Sequence, residues 1–435
     1  MRKRIFPAPF AQYLTAGLLS VCCSTSLADI GVTASAEFIE NPQRLPDPPA
    51  DDMLATLAID GNIERETTRF LVSLDYIASK NDYQENLMQD RDLVEGTGLV
   101  RWKISPDLLS WDLSNTRSNQ LIDASRPDFM DNRQVISTTT TGPTLTLPVG
   151  AANMLTMQAN FTQADYEQSG FLDQDRGSIY VDFSRNLTRN IVGSLRGLYN
   201  KSEFKADFVS TYEISSLSAN FVLEQSPYTA SLELGQFRTE RTGFGSSSNP
   251  LLRADFEYTL TTFSSITLGY AITVEDLLTD IASRNLDPAA SLNQDFQFEG
   301  RFGNSNNSGI YERETKSVAY NYADPNGASV TLSYEIDDRD FINSFDRQMD
   351  ERYAFNIGYQ FSPRLDANFR VRLSNIQLNA FRPVQERLEI GLRGRYTITQ
   401  GLIVNFGIRH EDQQSEFAPD NYDGLISFLG ITFRR

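Results

Sequence analysis

The sequence predicts an all-β chain folded as a transmembrane up-and-down antiparallel β-barrel of about 16 to 20 strands, with short periplasmic turns and long extracellular loops. Three observations lead there. Apolar and polar residues alternate with period two in many segments of about ten residues. The connections between those segments alternate between tight and long. Beyond the first thirty residues no apolar run approaches the roughly 18 residues of a spanning helix, and mean hydropathy is negative.

Residues 1–28 read as a secretory signal peptide. Arg2, Lys3 and Arg4 form a charged start, Leu14 to Cys23 an apolar centre, and Ser26-Leu27-Ala28 a small-residue cleavage site. The alternative, a lipid-attachment box at Leu19-Ser20-Val21-Cys22, is disfavoured by Val21 before the cysteine. Cleavage after Ala28 removes three basic residues, no acid, and both cysteines, Cys22 and Cys23. An exported chain of residues 29–435 without disulfides is expected, placed in the outer membrane of a Gram-negative cell.

From residue 29 the period-two segments fall at 30–39, 53–63, 68–79, 93–104, 108–119, 133–147, 153–166, 176–187, 190–202 and 208–224. They continue at 228–240, 251–260, 264–275, 309–322, 328–340, 350–361, 365–378, 384–397, 402–414 and 423–433. Twenty strands put both mature termini on the periplasmic side, and the first three are the least periodic. In 266–274, Ile266, Leu268, Tyr270, Ile272 and Val274 share one face and Thr267, Gly269, Ala271 and Thr273 the other. In 353–361, Tyr353, Phe355, Ile357, Tyr359 and Phe361 oppose Ala354, Asn356, Gly358 and Gln360. Turn chemistry at Ser105-Pro106-Asp107, Pro148-Val149-Gly150, Pro325-Asn326-Gly327 and Ser362-Pro363-Arg364 marks the tight connections. Longer polar loops are expected at 41–52, 80–92, 120–132, 167–175, 242–250, 276–308, 342–349 and 415–422. The 276–308 segment is the longest and could fill the interior. A soluble sandwich would not repeat strands this long so often, and no fixed repeat marks a solenoid.

The apolar face is expected to meet lipid, with Tyr and Phe at its borders; 28 Phe and 18 Tyr against two Trp suit that use. The polar face then lines a lumen. Arg370 and Arg372, Arg393 and Arg395, and Arg409 project inward from three neighbouring strands. Acids hold that face elsewhere, at Glu233, Asp255, Glu257, Glu335, Asp337 and Glu389. Two readings stay open: a charge-lined constriction that guides an anionic solute, and a lumen filled by Arg–carboxylate pairs that stiffen the barrel. Arg370, Arg372, Arg393, Arg395, Arg409, Glu389, Asp255 and Glu257 are the lumen-lining candidates. The acids Asp337, Asp338, Asp340, Glu411, Asp412, Glu416, Asp420 and Asp423 read as a solvated external surface.

Composition excludes several classes. With 57 acidic and 39 basic residues the chain lacks the basic surface a nucleic-acid binder needs. One histidine and no cysteine after residue 28 argue against a His- or Cys-ligated metal site. The loop acids lack the spacing of a calcium loop. His410, at the external end of a strand and with lipid-side parity, is the sole histidine a catalytic group could use, and no nucleophile signature accompanies it. No catalytic residue, metal or cofactor is expected.

From about Trp102 to the C-terminus the chain resembles the outer-membrane β-barrel family found beside exosortase/PEP-CTERM exopolysaccharide loci. The resembling residues are Asp131-Asn132-Arg133-Gln134 leading into a strand, then Gly142-Pro143-Thr144-Leu145 running into the Leu147-Pro148-Val149-Gly150 turn, and the Ser362-Pro363-Arg364 type of turn. The resemblance implies a passive conduit tied to export or surface display of exopolysaccharide, with polysaccharide as a partner. A general diffusion porin for small solutes and a surface barrel with a closed lumen are the alternatives. Outer-membrane lipid, lipopolysaccharide and the barrel-assembly machinery are the other expected partners. Leu429, Ile431 and Phe433 alternate like an insertion signal, although Arg434 and Arg435 follow where such barrels usually end on an aromatic residue.

Overall fold

The structure, a computed structural model, describes residues 28–45, 50–85, 87–122, 132–276, 278, 310–342, 347–377, 383–416 and 421–435. The signal-peptide reading of 1–28 thus lies, but for Ala28, outside the described residues.

Among the described residues twenty strands follow one another. They are β1 (Ala28–Ile39), β2 (Asp52–Glu66), β3 (Phe70–Tyr83), β4 (Arg91–Ser105), β5 (Leu109–Leu121), β6 (Arg133–Pro148), β7 (Asn153–Tyr166), β8 (Gln174–Asn186), β9 (Ile191–Phe204) and β10 (Tyr212–Gln225). The rest are β11 (Tyr228–Arg241), β12 (Gly245–Thr261), β13 (Ser264–Asp276), β14 (Ile310–Ala323), β15 (Ala328–Phe341), β16 (Arg347–Ser362), β17 (Leu365–Gln377), β18 (Gln385–Thr399), β19 (Leu402–Ser415) and β20 (Tyr422–Arg434). Each pairs antiparallel with its sequence neighbours, and β1 pairs with β20 from Gly31↔Arg434 to Ile39↔Ile426, which closes the sheet. Closure leaves no strand edge around the barrel girth, the condition for sheet inside hydrocarbon. Strand number and the short–long alternation agree with the sequence reading.

One expected loop is strand. The 242–250 loop shrinks because Gly245–Pro250 pairs with β11, Glu240↔Ser246 to Gln236↔Pro250. Its Ser-Ser-Ser-Asn-Pro composition hides the strand from pattern reading. Proline is tolerated there because the β12–β13 ladder ends at Leu252↔Ile272, so the tip of β12 is an edge on that side.

The tight turns are built locally. At the β14–β15 turn Gly327 has φ +91°, which an L side chain rarely adopts. The Asp324 carboxylate accepts the Asn326 backbone N–H at 2.7 Å and its side-chain N–H at 2.8 Å. Those two bonds hold the Asp324 carboxyl below the usual carboxylate range.

Outward residues form a continuous apolar belt including Leu232, Leu332, Ile357, Leu392 and Phe406, all exposed. Aromatic residues border it. Near the tight turns Phe70 stacks on Trp102 at 6.4 Å, and Tyr359 meets Phe361 edge-on at 4.8 Å. Toward the long loops Tyr334 and Tyr353 lie 4.7 Å apart and both donate to Glu351 at 2.8 Å. The inward face is polar, and its buried side chains include Asp337, Arg339, Asp350, Arg387, Glu389 and Glu411. This inversion, apolar outside and charged inside, is the reverse of a water-soluble fold. Leu392→Arg, in the middle of the belt, should destabilise the barrel by about 2–4 kcal/mol, while Arg393→Leu, one residue on but inward, should cost far less. Urea unfolding of both variants in lipid vesicles measures the difference. Equal costs would contradict the assignment of faces.

Candidate functional site

The inner faces of β17, β18 and β19 set four registered rows of side chains, their Cβ atoms about 4.5–5.5 Å apart across the ladder. Arg372, Glu389 and Glu411 lie abreast; below them come Arg370, Gly391 and Arg409. Next are Asn368, Arg393 and Gly407, then Asp366, Arg395 and Asn405. The five predicted arginines and Glu389 therefore share one wall. Gly407 makes room for the Phe428 ring, which a Cβ at that position would strike.

Most of these charges are already engaged. Glu411 forms ion pairs with three arginines: Arg44 at 2.8 Å, Arg387 at 3.0 Å and Arg409 at 3.1 Å. Glu389 binds Arg387 at 2.5 Å, with Arg372 at 4.0 Å. Arg395 meets Asp366 at 2.8 Å. The network continues on β13–β16. Arg313 grips Asp337 through two bonds of 2.9 Å and reaches Glu275 at 3.2 Å. Arg339 meets Asp337 at 3.1 Å, and Arg352 meets Asp350 through Nε at 2.8 Å. Fork-shaped pairs of this kind hold both partners in one geometry.

The pairing does not cancel the charge of the wall. On β17–β19 the inward Arg370, Arg372, Arg387, Arg393, Arg395 and Arg409 outnumber Asp366, Glu389 and Glu411. Asp255 and Glu257 also face the lumen but stand on β12, away from these arginines; Ser231 donates to Asp255 at 3.1 Å. Glu233, which accepts from Ser218 at 2.6 Å and from Arg196 at 3.4 Å, stands opposite Arg253 in the ladder, so that wall carries both signs. Parity placed the arginines. It also offered Arg387, on the same face as Arg393 and Arg395, which was overlooked. Arg44 sits on the β1–β2 connection, where no periodicity operates.

Three expectations need correction. Asp337 and Glu411 are not part of a solvated external surface: Asp337 is buried between Arg313 and Arg339, and Glu411 is buried on the inner face, paired with three arginines. Both lie within the expected strands and have inward parity, which governs them to the strand ends. Val274 has lipid-side parity yet is buried inside the barrel, because β13 leaves the wall below it. Asp420 lies outside the described residues. His410 stands on the outer face at the external end of β19, its Nδ1 3.4 Å from Asp423.

No family model and no curated protein matches the chain. Solved structures do. The FrpB iron transporter from Neisseria meningitidis (F5-1 variant) is 10% identical, with TM-score 0.54, covering 94% of this chain and 82% of its own. A mutant of the ferric enterobactin receptor PfeA from Pseudomonas aeruginosa, in complex with enterobactin, is 9% identical with TM-score 0.51 and the same coverages. At that identity the likeness is one of fold. A closed barrel of twenty antiparallel strands, girdled by an apolar belt with aromatic borders, lies in the outer membrane.

Proposed function

We propose that this barrel is a passive conduit whose net-positive wall guides an anionic solute, and that it serves exopolysaccharide export or surface display. The observation that carries the first half is the excess of guanidiniums on the inner face of β17–β19. Fixed charges on a low-dielectric wall focus the field into the water they border and concentrate ions of opposite sign. The pairing of most of these arginines supports a rigid wall over a flexible trap. Polysaccharide is the solute implied by the family resemblance, and an acidic polysaccharide fits the sign of the wall. Lipid and lipopolysaccharide would meet the outer belt, and the alternating Leu429, Ile431 and Phe433 would be read by the assembly machinery.

Single-channel conductance of the refolded protein in a planar bilayer, across a salt gradient, tests this. Steady conductance with anion preference, reduced by acidic polysaccharide on one side, is expected. No conductance from a folded, heat-modifiable barrel would overturn it and leave a closed surface barrel. Conductance without ion preference would leave a general porin.

A further inference from the structure

β13 parts from β12 toward its outer end, while β14 stays paired with β15 as far as Tyr311↔Phe341. The β12–β13 ladder stops at Leu252↔Ile272, whereas the β13–β14 ladder runs on to Asp276↔Ile310. Beyond the break this hairpin lies on the lumen side of β10, β11 and β12. Asn249, at the tip of β12, donates to Glu312 of β14 at 2.7 Å. Val274 and Ile310 are buried against Tyr212, Ile214, Phe237 and Leu251, on the inner faces of β10, β11 and β12. Asp276 pairs with Arg176 of β8, and Tyr212 Oη donates to Asp276 at 2.6 Å. β9, β10, β11 and β12 stand between β8 and β13, so about 24 Å of sheet separates those strands along the wall. A direct ion pair between them requires the hairpin to cut across the interior. Leu278 reaches farther still, packing with Ile136, Ala164, Tyr166 and Leu172 at β6 and β7.

We infer that the base of the β13–β14 hairpin is a latch across the lumen, clasped to β8 and β10 through Arg176, Asp276 and Tyr212. Two features give it two positions. Its hold on the wall is part apolar and part ionic, and the ionic part is a completely buried carboxylate beside a buried guanidinium, which is stable only while both are present. Meanwhile the tip of β12 from Gly245 to Leu251 has no ladder partner on its β13 side among the described residues. Released, β13 can zip onto that edge and clear the interior. The latch concerns access to the inner wall and rests on the conduit reading only where conductance is measured.

The test uses the chain with Cys22 and Cys23 replaced by serine and a single cysteine at Ser178, on the inner face of β8 below Arg176. A membrane-impermeant maleimide added outside reports access to the lumen. Asp276→Asn should raise the labelling rate about tenfold or more, and the swap Arg176→Asp with Asp276→Arg should bring it back toward the parent value. Val274→Thr loosens the apolar half without orphaning a charge and should raise the rate as well, which covers the case that Asp276→Asn fails to fold. Unchanged labelling in folded Asp276→Asn or Val274→Thr overturns the latch. Faster labelling without any conductance supports the latch and rejects the conduit reading, so the two proposals fail separately.

Discussion

Replacing Glu411 with alanine should cost the folded barrel about 3–5 kcal/mol, the penalty for removing one partner from a buried ionic cluster. Its carboxylate is nearly inaccessible and is the shared ion-pair partner of Arg44, Arg387 and Arg409. Without it, three guanidiniums face one another on the wall, with Glu389 as the nearest acid through Arg387. The loss reaches beyond β19, because Arg44 ties the β1–β2 connection across β20 to that strand. Glu411→Gln keeps the volume and should recover part of the loss. Asp412→Ala, one residue on and outward, should change stability by less than about 0.5 kcal/mol, as for an ordinary surface site. Urea unfolding of the three variants in lipid vesicles decides it. A cost below about 1 kcal/mol for Glu411→Ala would mean that water in the lumen screens the cluster, and the hub role would fall.

The residues that were hardest to place show what periodicity can and cannot carry. Alternation found every strand, and for β7 it found both ends, because a strand that meets lipid on one side and water on the other must alternate. The same parity put Arg370, Arg372, Arg393, Arg395, Arg409 and Glu389 on one wall. It says which residues share a face, but not what that face meets. Val274 and Asp276 continue the outward parity of Ile272, yet they are buried inside, because β13 parts from β12 at Leu252. That departure depends on contacts with β8 and β10, remote in sequence. The β12 tip failed for a local reason: serine, asparagine and proline form a strand there only as partners of an existing β11. Parity puts Asp337 and Arg339 on the same face of one strand, but the grip of Asp337 on Arg313 requires the register of β14 with β15.

Serine at Arg370, Arg372, Arg393 and Arg395 together should move the barrel from anion toward cation preference. On β17–β19 the inward charges that remain are Arg387 and Arg409 against Asp366, Glu389 and Glu411, so the wall changes sign. A unit charge about 7 Å from an ion's path is worth about 0.6 kcal/mol in water, roughly threefold in occupancy. Four such charges, partly screened, should shift the anion-to-cation permeability ratio by about tenfold at low salt. The shift should fade near 1 M salt, where the Debye length falls to about 3 Å. The fold should survive, since Glu389 keeps Arg387 and Glu411 keeps Arg44, Arg387 and Arg409. The reversal potential of the variant across a salt gradient, at low and at high salt, reads both effects. An unchanged potential at low salt, from a barrel still conducting, would mean that ions pass along the β11–β12 side and that these arginines only brace the wall.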